Sequence, residues 1–267
     1  MAKITIHCVR HAQGFHNLNL DNHKIRDPLL TPFGKSQCES LRQSFPSPGK
    51  ITHLVASPLR RTIYTTLLSF PAAVQRGLKI TALPELQETS NLPCDTGLDL
   101  KDLEAEFSEG EYAGTVDLSR VGEDWNSKVG KWSPEAHHIE NRARHARLFL
   151  RELAEQSLKT NPEQDVEIVV VTHGGYLHYF TEDWTGAGKF VGTGWTNTEV
   201  RSYGFVEGDR EGAGLKETRE SRIGRIGSEK ELGREEQRTL RDAMEREWSA
   251  SGYQVKGDET EGESAKL

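Results

Sequence analysis

The chain alternates between short, almost unbroken apolar runs and longer stretches whose apolar residues recur at helical spacing. Ile4-Thr5-Ile6-His7-Cys8-Val9 reads as a first strand and 51–56 as a second. Residues 79–83 form a short strand, and 203–206 suit a last one. Val166 to Val171 is the strongest strand, apolar at nearly every position, as expected of a parallel strand buried on both faces. Helices are predicted over 32–45, opened by Thr31-Pro32, and over 58–70, with Ser57 as the cap and Pro58 in the first turn. A third spans Asn141–Lys159, with Ala146, Phe149, Leu150, Leu153 and Ala154 near one face. Strands alternating with helices make this an α/β domain with a mostly parallel sheet.

Two regions break the alternation. Residues 88–138 are long and irregular, with Gly, Pro, Asp and Trp scattered through them, and read as a substrate-facing lid. From about 208 Gly, Arg, Glu and Ser dominate. The expected domain is 1–207, and 208–267 reads as a charged, mobile or loosely docked extension, with 229–248 able to form a helix. No internal repeat is present.

At 267 residues the chain is long enough for one α/β domain with a substantial core. The net charge of −7 argues against nucleic acid as a partner, and an anionic substrate must be drawn by a local basic pocket. No run is long enough to span a bilayer, and the N-terminus enters a strand without a signal-like apolar segment. Cys8, Cys38 and Cys94 are odd in number, widely spaced and form no metal pair. The expectation is a cytoplasmic protein with no metal, no cofactor and no membrane partner. An exposed edge strand would allow a homodimer.

The chemistry gathers where strands end. Arg10 and His11 stand side by side after the first strand, one suited to clamp a phosphate and the other to attack it. Arg60 and Arg61 open a helix, where free N–H groups also favour an anion. His173 lies at the carboxyl end of its strand, the usual ligand position in open α/β sheets, and Gly174-Gly175 allow close backbone approach. Glu88 and Asp95 supply carboxylates.

In order and spacing these segments resemble the histidine phosphatase superfamily, the phosphoglycerate-mutase-like group. The resemblance rests on Arg10-His11, Asn17, Leu30-Thr31-Pro32-Phe33-Gly34, Ser57-Pro58-Leu59-Arg60, Leu86-Gln87-Glu88 and Val171-Thr172-His173-Gly174, and covers about residues 1–206. Gln13-Gly14-Phe15-His16-Asn17 and Trp195 to Arg201 look like motifs of the intracellular, fungal-type members. Where the family has glycine after the nucleophile this chain has Ala12, which requires an alanine-compatible backbone there.

The resemblance implies a three-layer sandwich, a mostly parallel sheet flanked by helices. It implies a metal-independent phosphomonoester hydrolase acting on a small-molecule phosphate through a phosphohistidine. His11 is then the nucleophile, with its second ring nitrogen held by a backbone carbonyl. Arg10, Asn17, Arg60 and His173 surround the phosphate, with Arg61 the less favoured clamp. Glu88 is the favoured general acid and Asp95 its rival. The alternatives are a phosphoglycerate-mutase-type phosphotransferase, a repurposed non-phosphatase enzyme and a phosphate-binding module on the same fold.

Overall fold

The computed structural model describes residues 2–188 and 193–254. The first half runs β1 (Ile4–Arg10), α1 (Pro32–Ser44), β2 (His53–Ala56), α2 (Arg60–Ser69), α3 (Pro71–Gln75), β3 (Ile80–Ala82), α4 (Leu100–Ser108) and β4 (Val116–Asp117). It continues through α5 (Ala136–Thr160), β5 (Val166–Thr172), α6 (Gly174–Thr181), β6 (Val200–Phe205), β7 (Leu215–Glu217), α7 (Arg219–Ile226) and α8 (Arg234–Ala250). The strands form one sheet in the order β4-β3-β2-β5-β1-β6-β7. All neighbours from β4 to β1 are parallel, and β6 and β7 add antiparallel at one edge.

The two-residue period of the strands builds both faces of the core. Ile6, Cys8, Ile168 and Val170 face α5, α6 and α8, meeting Ile139, Leu150, Tyr176, Phe180 and Trp248. Val9, Val169 and Val171 face the other way, toward α1, α2 and α4, meeting Leu41, Ile63 and Phe107. This is the expected three-layer α/β sandwich. The central register sets Val9 opposite Val171 and Arg10 opposite Thr172. The chemistry-bearing residues after β1 and β5 therefore emerge together at one sheet end.

The Leu-Thr-x-x-Gly turn has a physical role. The Thr31 hydroxyl caps α1 by accepting from the Gly34 N–H at 2.9 Å. A Cβ at Gly34 would collide with the Gln13 carbonyl oxygen, so only glycine lets α1 press against the loop that carries His11. Ala12 has an ordinary negative φ and is wholly buried beside Leu30 and Cys38, which accounts for a methyl group where the family has hydrogen.

Two expectations need correction. Helix α2 begins at Arg60, not Pro58, and Ser57 does not cap it. The folded unit also does not end at 207. Leu215–Glu217 pairs with β6, and Met244 and Trp248 of α8 join the core. The Glu217 carboxylate, with no exposure, takes Arg225 at 2.7 Å and Arg222 at 3.3 Å, and both arginines also reach Asp183. These opposite charges pair in the interior, so a segment that reads as solvated by composition is docked. The remainder of the expected extension, 255–267, lies outside the described residues. The irregular 88–138 region divides: Glu88 to Asp95 lines the main cavity, while α4 packs Leu103 and Phe107 into the core.

A chain cut after Glu207 loses both the arginine partners of Asp183 and the cover over Tyr203. It is expected to show no cooperative transition in urea when followed by tryptophan fluorescence. A fragment unfolding cooperatively at the full chain's midpoint would restore the boundary at 207.

Candidate active site

The end of β1 delivers His11 to a buried position with only 2 % of its surface exposed. Its Nδ1 lies 2.7 Å from the Ala12 carbonyl oxygen, an acceptor only, so Nδ1 carries the proton and Nε2 keeps its lone pair. Burial, reinforced by the positive charges of Arg61 and Arg10, holds the imidazole well below its ordinary pKa. His11 is thus neutral, with one nucleophilic nitrogen of fixed direction.

That nitrogen faces an arginine, and it is Arg61 rather than Arg60. Arg61 is wholly buried; its Nε donates to His11 Nε2 at 3.3 Å and its Nη2 to His173 Nδ1 at 3.1 Å. The same guanidinium holds the Cys94 carbonyl at 2.6 Å and Asp95 Oδ1 at 2.8 Å. Arg60 lies away from the histidines. Its side chain reaches the Asp27 carbonyl at 2.8 Å and Glu106 at 3.4 Å. Consecutive helical residues diverge by about 100°, so only one of the pair can face the cluster. A Ser-Pro-Leu-x-Arg spacing counted from Ser57 in fact lands on Arg61.

His173 sits between β5 and α6 with no exposure. Because Arg61 donates to Nδ1, the proton is on Nε2, which donates to the Ser57 hydroxyl at 3.0 Å. Ser57 therefore orients His173 instead of capping α2. Burial, with Arg61 next, keeps this imidazole neutral too. The two glycines that follow serve close approach. A Cβ at Gly174 would strike the Thr193 side chain, and one at Gly175 would lie 2.8 Å from Glu88 Oε1.

Glu88 lies across the start of α6, accepting from Tyr176 N–H at 2.8 Å, Gly175 N–H at 3.2 Å and Thr89 N–H at 3.0 Å. Burial nevertheless pushes its pKa up, and the neighbouring Asp95 charge adds to this. Asp95 is tied on both oxygens, one by Arg61 and the other by the Ser90 hydroxyl at 2.5 Å. Glu88, Asp95, Arg10, His11 and Asn17 all line one cavity, and Arg61 and His173 lie immediately behind His11. Asn17 Oδ1 accepts from Gly14 N–H at 3.0 Å, which leaves the side-chain N–H₂ as a donor.

Two contributions were not foreseen. His16 lines the cavity with its ring centre 5.4 Å from that of His11, and its Nδ1 is buried without a partner among the described residues. A Cβ at Gly14 would lie 2.8 Å from this ring, so the Gln-Gly-x-His-Asn run is the only sequence signal for it. The second is a collar from the segment before β6. Asn197 Nδ2 donates to the His11 carbonyl at 2.8 Å, Thr198 N–H to the Arg10 carbonyl at 3.0 Å, and Arg10 Nη1 to the Trp195 carbonyl. Trp195 is itself held under Arg201, 3.5 Å from the ring centre.

A family model, the histidine phosphatase superfamily (branch 1), matches residues 6–218. The chain is 29 % identical over 212 residues to phosphoglycerate mutase-like protein 1 of Arabidopsis thaliana, covering 66 % of this chain and 70 % of that protein. It is 30 % identical over 111 residues to a probable phosphatase of Schizosaccharomyces pombe, covering 40 % of this chain and 51 % of that one. The chain thus spans about half the length of the yeast relative. Among solved structures, a mycobacterial glucosyl-3-phosphoglycerate phosphatase aligns at 17 % identity and a TM-score of 0.48, over 81 % of this chain and 97 % of that one. A phosphoglycerate mutase from Bacillus anthracis aligns at 15 % identity and a TM-score of 0.47, over 81 % and 92 %. With a match running from the first strand through the collar to the last strand, the chain belongs to the histidine phosphatase superfamily, branch 1.

Proposed function

We propose that the protein hydrolyses phosphate monoesters through a phosphohistidine on His11. The observation that carries this reading is the hydrogen bond from Arg61 to the lone-pair nitrogen of a neutral His11, with His173 on the same guanidinium. An incoming phosphate takes the Arg61 donor onto an equatorial oxygen and leaves Nε2 free for in-line attack on phosphorus. Arg10, Arg61 and the Asn17 amide supply donors for the equatorial oxygens. His173 becomes a further cationic donor once the phosphate's charge raises its proton affinity. As the N–P bond forms, the P–O bond to the leaving alcohol breaks, and Glu88 gives that oxygen its proton. Water then attacks the phosphohistidine, Glu88 takes a proton from it, and phosphate leaves with His11 restored. Glu88 is the favoured acid because burial raises its pKa; Asp95, whose carboxylate pairs directly with the Arg61 guanidinium, is the alternative.

Hydrolysis is favoured over return of the phosphate to a second anionic group. Among the described residues, the outer cavity wall offers Glu247 and no lysine or arginine. The charge that a phosphoryl group needs is supplied by the chain's own arginines and imidazoles, so activity is expected to persist in chelator.

The reading is tested by phosphate release from aryl, sugar and nucleotide phosphates. His11→Ala should lose turnover by several orders of magnitude and form no acid-labile phosphoenzyme. A wild-type rate in that variant would end the mechanism. Arg61→Met should lower kcat/KM by about 10²–10³-fold. Arg60→Met should lose less than about tenfold, acting through the packing around Asp27. Activity should fall on the acid side only as His11 protonates, below the ordinary imidazole range of about 6.5. It should fall on the alkaline side as Glu88, raised above the usual carboxylate range, loses its proton. Glu88→Gln should remove the alkaline limb and slow alkyl phosphates by about 10²-fold or more, sparing aryl phosphates. If Asp95→Asn gives that signature instead, Asp95 is the acid.

A further inference from the structure

The cavity above His11 measures about 990 Å³, at the upper end of the roughly 300–1,000 Å³ that enclose a drug-sized ligand. Its catalytic floor is polar, but its outer part is differently made. One outer wall comes from the connection between β1 and α1, with Leu18, Leu20 and His23. The opposite wall comes from the end of α8 and beyond, with Trp248 and Tyr253. The walls approach one another where the rings of His23 and Tyr253 meet edge to face, 6.0 Å between centres.

The first wall is unusual in what it leaves in water. Leu18 is 51 % exposed and Leu20 74 %, although both line the cavity. Phe15, Ile25 and Leu29 on the same connection are also exposed, so it carries five of the ten large exposed hydrophobic residues among those described, and Phe33 in the first turn of α1 adjoins it. The connection is held in place. Phe15 N–H donates to the Leu29 carbonyl at 3.0 Å, Asn22 Nδ2 to the Phe15 carbonyl at 2.7 Å, and the Asn19 side chain caps the turn at Leu20–Lys24. Leu20–Lys24 buries none of its residues. A fixed loop that presents leucines at a cavity mouth marks a site for apolar matter. Glu247 beside Trp248 disfavours a second anionic group in that place.

We propose that the outer cavity is a subsite for a hydrocarbon leaving group, and that the substrate is the phosphate monoester of an extended apolar alcohol. The phosphate sits against His11, and the chain runs outward between Leu18 and Leu20 on one side and Trp248 and Tyr253 on the other. The hydrolytic half of this statement rests on the phosphatase reading above; the binding half does not.

The test is calorimetric binding of n-alkylphosphonates, from methyl to decyl below their micellar concentrations, to the full chain. Affinity should rise about fourfold per methylene over the first several carbons, following the usual transfer free energy of a buried CH₂. In the variant L18S/L20S, and separately in Trp248→Ala, the ratio of decyl to methyl affinity should fall at least tenfold. The leucine pair is exposed, so its replacement leaves the core intact. A flat series in the wild-type protein, or a slope unchanged in both variants, overturns the proposal. Vesicle binding lost in L18S/L20S alongside a flat series would make the patch a membrane-facing surface and likewise overturn it. Turnover of the matching alkyl phosphates separates the two readings. A chain-length slope in binding with no hydrolysis defeats the phosphatase reading and keeps the subsite, whereas hydrolysis of phenyl and methyl phosphate with a flat slope does the reverse.

Discussion

The site depends on one buried guanidinium. Arg61 touches the lone-pair nitrogen of His11, the unprotonated nitrogen of His173, the Asp95 carboxylate and the Cys94 carbonyl. A cation in this place does three things. It reinforces burial in keeping both imidazoles neutral, because protonating either would set like charges in contact at low dielectric. It selects their tautomers, since an arginine donates and never accepts. It also ties the Cys94–Asp95 segment to His11 and His173 at the strand ends.

The backbone around this cation is arranged to bring it close to its partners. Gly34 lets α1 bear on the loop after His11, Gly174 and Gly175 let α6 come up to Thr193 and Glu88, and Asn197 and Thr198 fasten the Arg10–His11 peptide from the far side. Most motif residues outside the chemistry are thus explained by sterics or by a single hydrogen bond. Ser57 is the clearest case: its hydroxyl serves a histidine 116 positions later rather than the helix beside it.

How much of this was legible in the sequence follows from the range of the interactions. Val166–Thr172 and Ile4–Arg10 were readable because strands buried on both faces are apolar throughout, and their ends carried His173 and His11. Glu88, Asp95 and Asn17 were placed at the cavity by motif. The choice between Arg60 and Arg61 was not legible from composition, since both are arginines at the start of a helix; the motif spacing, counted from Ser57, picks out Arg61, and the facing direction agrees. The tail misled because its cohesion is ionic: Glu217, Arg222 and Arg225 look solvated until Asp183, more than thirty residues upstream, is brought to them. His16 was passed over as part of a motif, because nothing local signals that its ring lies beside His11.

The strand order has a consequence for the birth of the molecule. β1 is made first but sits between β5 and β6, with Ile4 opposite Val166 and Ile6 opposite Tyr203. Until those partners leave the ribosome, the first strand has no neighbour to complete its hydrogen bonds, and its apolar faces are bare. The cavity waits longer still, for Trp248 and Tyr253. A chain of this topology therefore exposes an apolar strand until β5 and β6 have followed it.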